Sequence, residues 1–140
     1  MRGIVKMKKR VFLGGTYNNS TWRDEIIRYF NDLNVNYFNP VVDDWNEEAQ
    51  KNELRERETC DFCLYTITPK MTGVYSIAEV VDDSNKRPKK TIFVILEKDE
   101  DKSFSNQEMR SLQAVAGLVK RNGAKVFYDL KSAAKTIAIL

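Results

Sequence analysis

Five short apolar segments alternate with longer segments of helical periodicity, and this alternation constrains the fold more than any other feature. The apolar segments have the length of buried strands and occupy residues 10–16, 35–42, 61–68, 90–96 and 124–128. Right-handed crossovers between such strands generate a parallel sheet that helices cover on both faces. The sequence therefore predicts an α/β protein with a flavodoxin-like, doubly wound, five-stranded parallel sheet in a single domain. The most apolar segment, 90–96, is expected at the centre of the sheet.

The segments between the strands differ in how much apolar surface they can bury. Residues 22–33, 74–85, 105–121 and 130–139 carry apolar side chains at helical spacing, with Ser20 or Thr21 as the cap of the first helix and Gly123 as the stop of the third. The segment 46–59 is charged at eight of its fourteen positions. We therefore expect it to form an exposed helix or a mobile flap.

Size and charge limit the classes of protein that fit this chain. Its 140 residues are typical of one domain, and we expect a flexible basic leader over 1–9 and one domain over 10–140. The net charge is +3, and five positive charges fall within the first ten residues. The remainder is nearly neutral, which argues against binding to a nucleic acid polymer. No apolar run reaches the roughly 18 residues of a membrane span. The basic N-terminus is not followed by the apolar core of a signal peptide. Two cysteines are too few for the disulfide framework of a secreted protein. A cytoplasmic protein is expected.

The sequence contains no histidine, and this limits its chemistry. Ser-His-Asp and Cys-His mechanisms and most zinc sites are excluded, so carboxylates, tyrosines and lysines remain as acids, bases and nucleophiles. Cys60 and Cys63 have a C-x-x-C spacing, but they open a predicted strand, where this spacing would point the two side chains to opposite faces. We interpret them as small buried apolar residues.

Ligands of a doubly wound sheet bind beyond the carboxyl ends of the strands, so three segments are candidates for a site. They are residues 14–20, 43–46 and 68–76, which are rich in small, polar and aromatic side chains. Gly14 and Gly15 would let backbone N–H groups approach a phosphate or ribose near a helix N-terminus. A tight strand-to-helix turn explains the same two glycines equally well, since the loop matches neither G-x-G-x-x-G nor a Walker loop.

Glu79 is the strongest candidate for a reactive group. Tyr75 and Ser76 lie four and three residues before it, so the three side chains share one helix face. The helix follows a turn at the ligand-binding end of the predicted sheet, and this location favours a functional role over that of a solvated glutamate. Asp61 lies at the opposite end of the predicted strand 61–68, which precedes this helix. We therefore expect Asp61 to have a structural role.

Four stretches of the sequence together resemble the nucleoside 2-deoxyribosyltransferase-like family. They are VFLGGTYNNSTWRDEI, YFNPVVDDW, CDFCLYTITPKMTGVYSIAEVVD and KKTIFVIL. The resemblance extends over residues 11–128, and GGTYNNSTWR and TGVYSIAE are its most specific parts. It implies a flavodoxin-like domain in which a glutamate of the third helix, here Glu79, attacks the anomeric carbon of a nucleoside.

The resemblance suggests roles for further residues. Asp43 or Asp44 would protonate the departing base or hold a sugar hydroxyl, and Tyr17, Trp22 or Trp45 would stack on the base. Gly14, Gly15 and Thr16 would border the sugar or its phosphate. Family members often carry a tyrosine on the first strand and an aspartate or serine six residues before the glutamate. This chain has Phe12 and Gly73 there, and Tyr75 or Ser76 would substitute.

The expected function is cleavage or exchange of the N-glycosidic bond of a nucleoside or nucleotide through Glu79. A carboxylate can stabilise the oxocarbenium-like transition state and then trap the sugar covalently, which requires no cofactor and no metal. Two alternatives stay open. One is a non-catalytic nucleotide-binding or sensor module, and the other is an assembly protein with a vestigial crevice. A homo-oligomer is also expected, because the segment 46–59 can cover little of the sheet and a partner subunit could cover the rest.

Overall fold

Strands and helices alternate as the sequence predicts. The computed structural model describes residues 8–17 and 19–140, so the predicted leader lies almost entirely outside the described residues. The elements are β1 (Arg10–Gly15), α1 (Trp22–Leu33), β2 (Asn36–Phe38), α2 (Glu47–Thr59), β3 (Phe62–Ile67), α3 (Tyr75–Lys86), β4 (Thr91–Ile95), β5 (Lys98–Asp99), β6 (Lys102–Ser103), α4 (Asn106–Asn122), β7 (Lys125–Phe127) and α5 (Leu130–Ile139).

The main sheet has the strand order β2-β1-β3-β4-β7, and every neighbouring pair is parallel. This is the flavodoxin-like order, so the predicted fold is confirmed. The middle strand is β3, which is buried at all six positions, whereas β4 lies one place further out. The segment 90–96, expected at the centre, forms the strand next to the middle one. Both β3 and β4 are fully buried, so the apolar content of a strand does not show which of the two is the middle strand.

Two apolar layers cover the two faces of the sheet. Successive side chains of a strand point to opposite faces, so Val11 and Leu13 pack on one side and Phe12 on the other. The first layer includes Ile26 of α1 and Ile137 of α5. The second layer is built from α3 and α4. Because all five strands of the main sheet are parallel, their carboxyl ends lie at the same end of the sheet, and the candidate site lies at that end.

The ends of the helices follow the expected capping chemistry. The side chain of Ser105 accepts from the backbone N–H of Glu108, and the side chain of Glu108 accepts from that of Ser105, which completes a capping box at the start of α4. Gly123 ends α4 with a φ of 110°. Thr21 stands at the N-cap of α1 but makes no side-chain cap bond. None of the described helices is long and apolar enough to cross a membrane.

Helix α2 confirms that the charged segment is helical and largely exposed. Arg57 is its buried residue, and Asn46 caps it by accepting from the backbone N–H of Ala49. The short hairpin of β5 and β6 was not predicted. Lys9 belongs to the folded part rather than to a leader, since its ammonium donates to the carbonyl oxygens of Ile137 and Ala138 at 3.0 and 2.9 Å.

The two cysteines are buried free thiols, but their predicted orientation was wrong. Cys60 is the residue that ends α2 and precedes β3, so the alternation of a strand does not apply to it. Both side chains pack in the layer formed by α3 and α4. Burial raises the pKa of each thiol to about 12, which is typical of unreactive structural cysteines.

Candidate active site

A cavity of about 320 Å³ opens at the carboxyl ends of β1 and β3. This volume suits a small polar ligand. The cavity joins the β1–α1 loop, the start of α3 and the exposed helix α2. Its lining residues are Gly15, Thr16, Tyr17, Trp45, Glu53, Met71, Thr72, Gly73, Tyr75, Ser76 and Glu79.

Glu79 lies one turn into α3 with its carboxylate at the cavity wall. The residue is 6 % exposed. Burial raises the pKa of the Glu79 carboxyl to about 7, against the opposing attraction of Arg57 and with a further increase from Glu53. Its Oε2 lies 3.6 Å from Nη1 of Arg57, which is an ion pair without a close hydrogen bond. Glu79 is therefore a buried carboxylate that changes charge near neutral pH and is not locked by its partner.

Arg57 is held chiefly by the carboxylate of Asp83. Nη2 of Arg57 donates to Oδ1 of Asp83 at 2.9 Å, and Nε donates to Oδ2 at 3.3 Å. Asp83 is fully buried and also accepts from Tyr65 and Arg87. The attraction of its carboxylate partners raises the pKa of Arg57 despite the cost of burial. This network attaches the otherwise exposed helix α2 to α3 directly beside Glu79.

Sequence reasoning missed Arg57, although a signal for it exists. Glu79 and Asp83 are four residues apart and therefore lie on one face of α3. Two buried carboxylates on one helix face require a buried cation, because unpaired charges inside a protein are costly. The charged segment 46–59 is a place to look for that cation.

The β1–α1 loop is shaped by glycine and fixed by a buried arginine. Gly15 has a φ of +125°, and a Cβ there would lie 2.1 Å from the backbone oxygen of Thr66, so no other residue fits. Nη1 of Arg23 donates to the carbonyl oxygen of Thr16 at 2.7 Å, and Nε donates to that of Leu13 at 3.1 Å. The guanidinium also lies 4.6 Å from the ring centroid of Tyr17. The loop is thus built to hold Thr16 and Tyr17 at the cavity.

The hairpin of β5 and β6 also holds the β1–α1 loop in place, through a hydrogen bond to Asp99 of β5. Oδ2 of Asp99 accepts from the hydroxyls of Ser20 and Thr68, both at 2.6 Å. These bonds join the β1–α1 loop to the segment that follows β3. The two loops at the cavity therefore have one common anchor. No local pattern predicts it, because the hairpin strands are only two residues long.

Most of the predicted site residues meet at the cavity, and four do not. Those that line it are Gly15, Thr16, Tyr17, Trp45, Gly73, Tyr75, Ser76 and Glu79. Trp22 is 3 % exposed, packs in the core and donates from its indole Nε1–H to the carbonyl oxygen of Thr16 at 2.8 Å, so it cannot stack on a base. Gly14 makes room for the ring of Tyr65. Asp43 and Asp44 are exposed between β2 and α2 and do not line the cavity, although the adjacent Trp45 does.

Phe12 and Asp61 lie where the sequence places them. Phe12 is fully buried, with its ring 6.0 Å from those of Phe38 and Tyr65. The hydroxyl of Tyr65 donates to Asp83, not to Glu79. Oδ2 of Asp61 accepts from the backbone N–H of Arg10 at 2.8 Å at the opposite end of β3, which is a structural role.

Comparison with known proteins places this chain in a family. No curated protein matches the chain. The profile of the family described as "Nucleoside 2-deoxyribosyltransferase like" matches residues 8–99, well over half of the sequence. The matched region contains the cavity residues named above and ends at the β5 strand, before α4, β7 and α5. The chain therefore belongs to the nucleoside 2-deoxyribosyltransferase-like family.

Proposed function

We propose that this protein cleaves or exchanges the N-glycosidic bond of a (deoxy)nucleoside or nucleotide, with Glu79 as the nucleophile. The observation that carries the proposal is the buried carboxylate of Glu79 at the wall of a cavity of suitable size, in a chain of this family. The family relationship supports glycosyl transfer in general, and the choice of nucleophile is our inference.

The bond changes at the sugar require only Glu79 among the residues that line the cavity. An oxygen of the Glu79 carboxylate attacks C1′, and the electron pair of the breaking C1′–N bond leaves with the base, which takes up one proton. The glycosyl ester is then opened by a ring nitrogen of a second base or by water, which releases one proton and returns the carboxylate. Tyr17, Trp45 and Tyr75 are 42 %, 59 % and 66 % exposed and offer aromatic surface to a departing or entering base.

Substitution of Glu79 tests the nucleophile directly. We expect Glu79→Ala and Glu79→Gln to abolish release of free base, because neither side chain can form the glycosyl ester. Glu48→Gln is the matched control, since Glu48 is an exposed residue of α2 that does not line the cavity. Retention of most of the wild-type rate by Glu79→Gln would rule out covalent catalysis by this residue.

Supplying a donor deoxynucleoside with a labelled second base shows what accepts the sugar. The exposed aromatic side chains favour a stacked base as acceptor, whereas the open, charged surface of α2 favours access by water. We therefore expect labelled nucleoside and free sugar to form together. The panel includes purine and pyrimidine donors with and without a 5′-phosphate, and the absence of both products throughout would contradict the proposal.

A non-catalytic nucleotide-binding module is the second candidate. The observation that favours it is the pKa of about 7 at Glu79, because a carboxyl that keeps its proton near neutral pH can donate a hydrogen bond to a ribose oxygen. Binding of nucleosides without release of base, measured by calorimetry, would support this function over the enzymatic one.

A further inference from the structure

We propose that Glu53 recognises the base, and that its carboxylate selects bases bearing an exocyclic amino group over bases with a carbonyl oxygen at that position. The proposal deepens the function proposed above and rests on it, since it assumes that the cavity receives a nucleoside. Glu53 was not among the residues that the sequence singled out.

Glu53 occupies the wall of the cavity from the side of α2. It lines the cavity that contains Glu79 and also an adjoining one of about 330 Å³ that Glu79 and Arg57 share. The negative charge of Glu53 contributes to the raised pKa values of Glu79 and Tyr17, so the three groups lie close enough to interact electrostatically. Among the described residues that line the cavity of about 320 Å³, Glu53 and Glu79 are the carboxylates. With Glu79 assigned to the sugar, Glu53 is left for the base.

One hydrogen bond joins Glu53 to an aromatic ring. The indole Nε1–H of Trp45 donates to Oε2 of Glu53 at 3.2 Å. A carboxylate has about four acceptor positions, so the pair retains acceptor capacity toward the cavity. An aromatic surface and a negatively charged acceptor thus lie side by side, and a planar base needs both, one for stacking and the other for its edge.

The chemistry of an ionised carboxylate determines which bases it accepts. It can only accept hydrogen bonds, and the amino groups of cytosine and adenine donate them. Uracil and hypoxanthine carry a carbonyl oxygen at the same ring position, so a carboxylate held opposite that position would face another acceptor. Their ring N–H lies one position away and would reach the carboxylate only if the base shifted in the cavity. Glu53 is half-buried in the free protein, and a bound base would cover it further. Two acceptors left facing each other under the base are costly, so the carbonyl analogue should bind less well. The hydroxyl groups of Thr16, Thr72 and Ser76 can donate or accept and do not discriminate in this way.

Matched pairs of nucleosides test the proposal. The wild-type protein is given deoxycytidine against deoxyuridine and deoxyadenosine against deoxyinosine, and kcat/KM for base release is measured for each. We expect a preference of about tenfold or more for the amino member of each pair, as a charged hydrogen bond supplies. In Glu53→Gln the amide offers both donors and an acceptor, so the preference should fall to about threefold or less. Glu48→Gln, an exposed change on the same helix, should leave the ratio unchanged.

Binding measurements separate this proposal from the proposed function. Dissociation constants for the same four nucleosides are measured by calorimetry on the Glu79→Gln protein, which needs no turnover. If the wild-type protein releases no base yet Glu79→Gln binds the amino member of each pair more tightly, the enzymatic function fails and the role of Glu53 stands. Equal binding of both members, tighter binding of the carbonyl member, no binding of any nucleoside, or a preference that survives in folded Glu53→Gln would overturn the role of Glu53.

Discussion

Glu79 should destabilise the folded protein at neutral and alkaline pH, and replacing it with glutamine should relieve that cost. The pKa of its carboxyl is raised by burial from an ordinary value of 4.5 to about 7. The folded state therefore holds the proton more tightly than the unfolded state does. The resulting stabilisation is complete below about pH 4.5 and is lost as the pH rises through about 7.

The magnitude follows from the same values. Each pKa unit corresponds to about 1.36 kcal/mol, so a rise from 4.5 to about 7 amounts to about 3 kcal/mol at pH 8. The Glu79 side chain is only 7 % exposed, so solvent screening reduces this value little. Relative to Glu79→Gln, the wild-type protein should lose about 3 kcal/mol of unfolding free energy between pH 4 and pH 8. That is a large part of the stability of a domain of this size.

Urea denaturation of both proteins at several pH values measures this difference. Only the difference between the two curves matters, because all ionisable side chains other than Glu79 are common to both proteins. Glu58→Gln serves as control, since Glu58 is an exposed residue of the same helix as Arg57, and its curve should stay within about 0.5 kcal/mol of the wild type. A Glu79→Gln difference that does not change with pH, or that changes in the opposite direction, would refute the assignment of Glu79 as a buried carboxylate with a raised pKa.

Three further predictions concern the surroundings of the site. Arg57→Met should cost about 3–5 kcal/mol in urea denaturation, because it removes the cation beside buried Glu79 and one of the two guanidinium groups that pair with buried Asp83. It should also move the acidic limb of the kcat/KM profile to higher pH, since Arg57 lowers the pKa of Glu79. If the acidic limb of the Arg57→Met profile stays at the wild-type pH, the expected effect of Arg57 on the pKa of Glu79 is wrong. Gly15→Ala should destabilise the protein by about 3 kcal/mol or more, whereas Gly73→Ala, with no atom within 4 Å of its added Cβ, should change stability by less than about 1 kcal/mol. At least a dimer is expected in solution, and a monomeric mass by light scattering at micromolar concentration would contradict this.

The fold was predictable because its signals are local. Helix α5 begins and ends where the periodicity of 130–139 predicts, and the five strands of the main sheet all fall within apolar segments. The hairpin of β5 and β6 carries no comparable signal, because two-residue strands in a charged segment show no periodicity. Its contribution comes from Asp99, whose bonds to Ser20 and Thr68 depend on tertiary structure that no local pattern reports.

The site was only partly predictable for a related physical reason. Trp22 shares helical spacing with Ile26 and Phe30, so it fitted either the core or a stacking role, and packing against the first layer decides for the core. Asp43 and Asp44 follow a strand, as a site residue should, yet the chain leads them into solvent. Glu53 and Arg57 were hidden because their helix appeared too charged to bury anything. A charged helix can contribute to a site when the surface it covers is itself charged.

The arrangement around Arg57 leaves the carboxylate of Glu79, the proposed nucleophile, beside a cation without a close hydrogen bond to it. Had Arg57 made a close two-pronged hydrogen bond to Glu79, the carboxylate would be ionised over the whole physiological range but both its oxygens would be engaged. Asp83 takes that position, with Arg57 donors at 2.9 and 3.3 Å, and Glu79 is left 3.6 Å from the remaining nitrogen. The attraction of Arg57 opposes the effect of burial on the pKa of Glu79 and leaves an oxygen free to face C1′. Asp83 therefore belongs to the proposed mechanism together with Arg57, because it occupies two guanidinium nitrogens, Nε and Nη2, that are then not directed at Glu79.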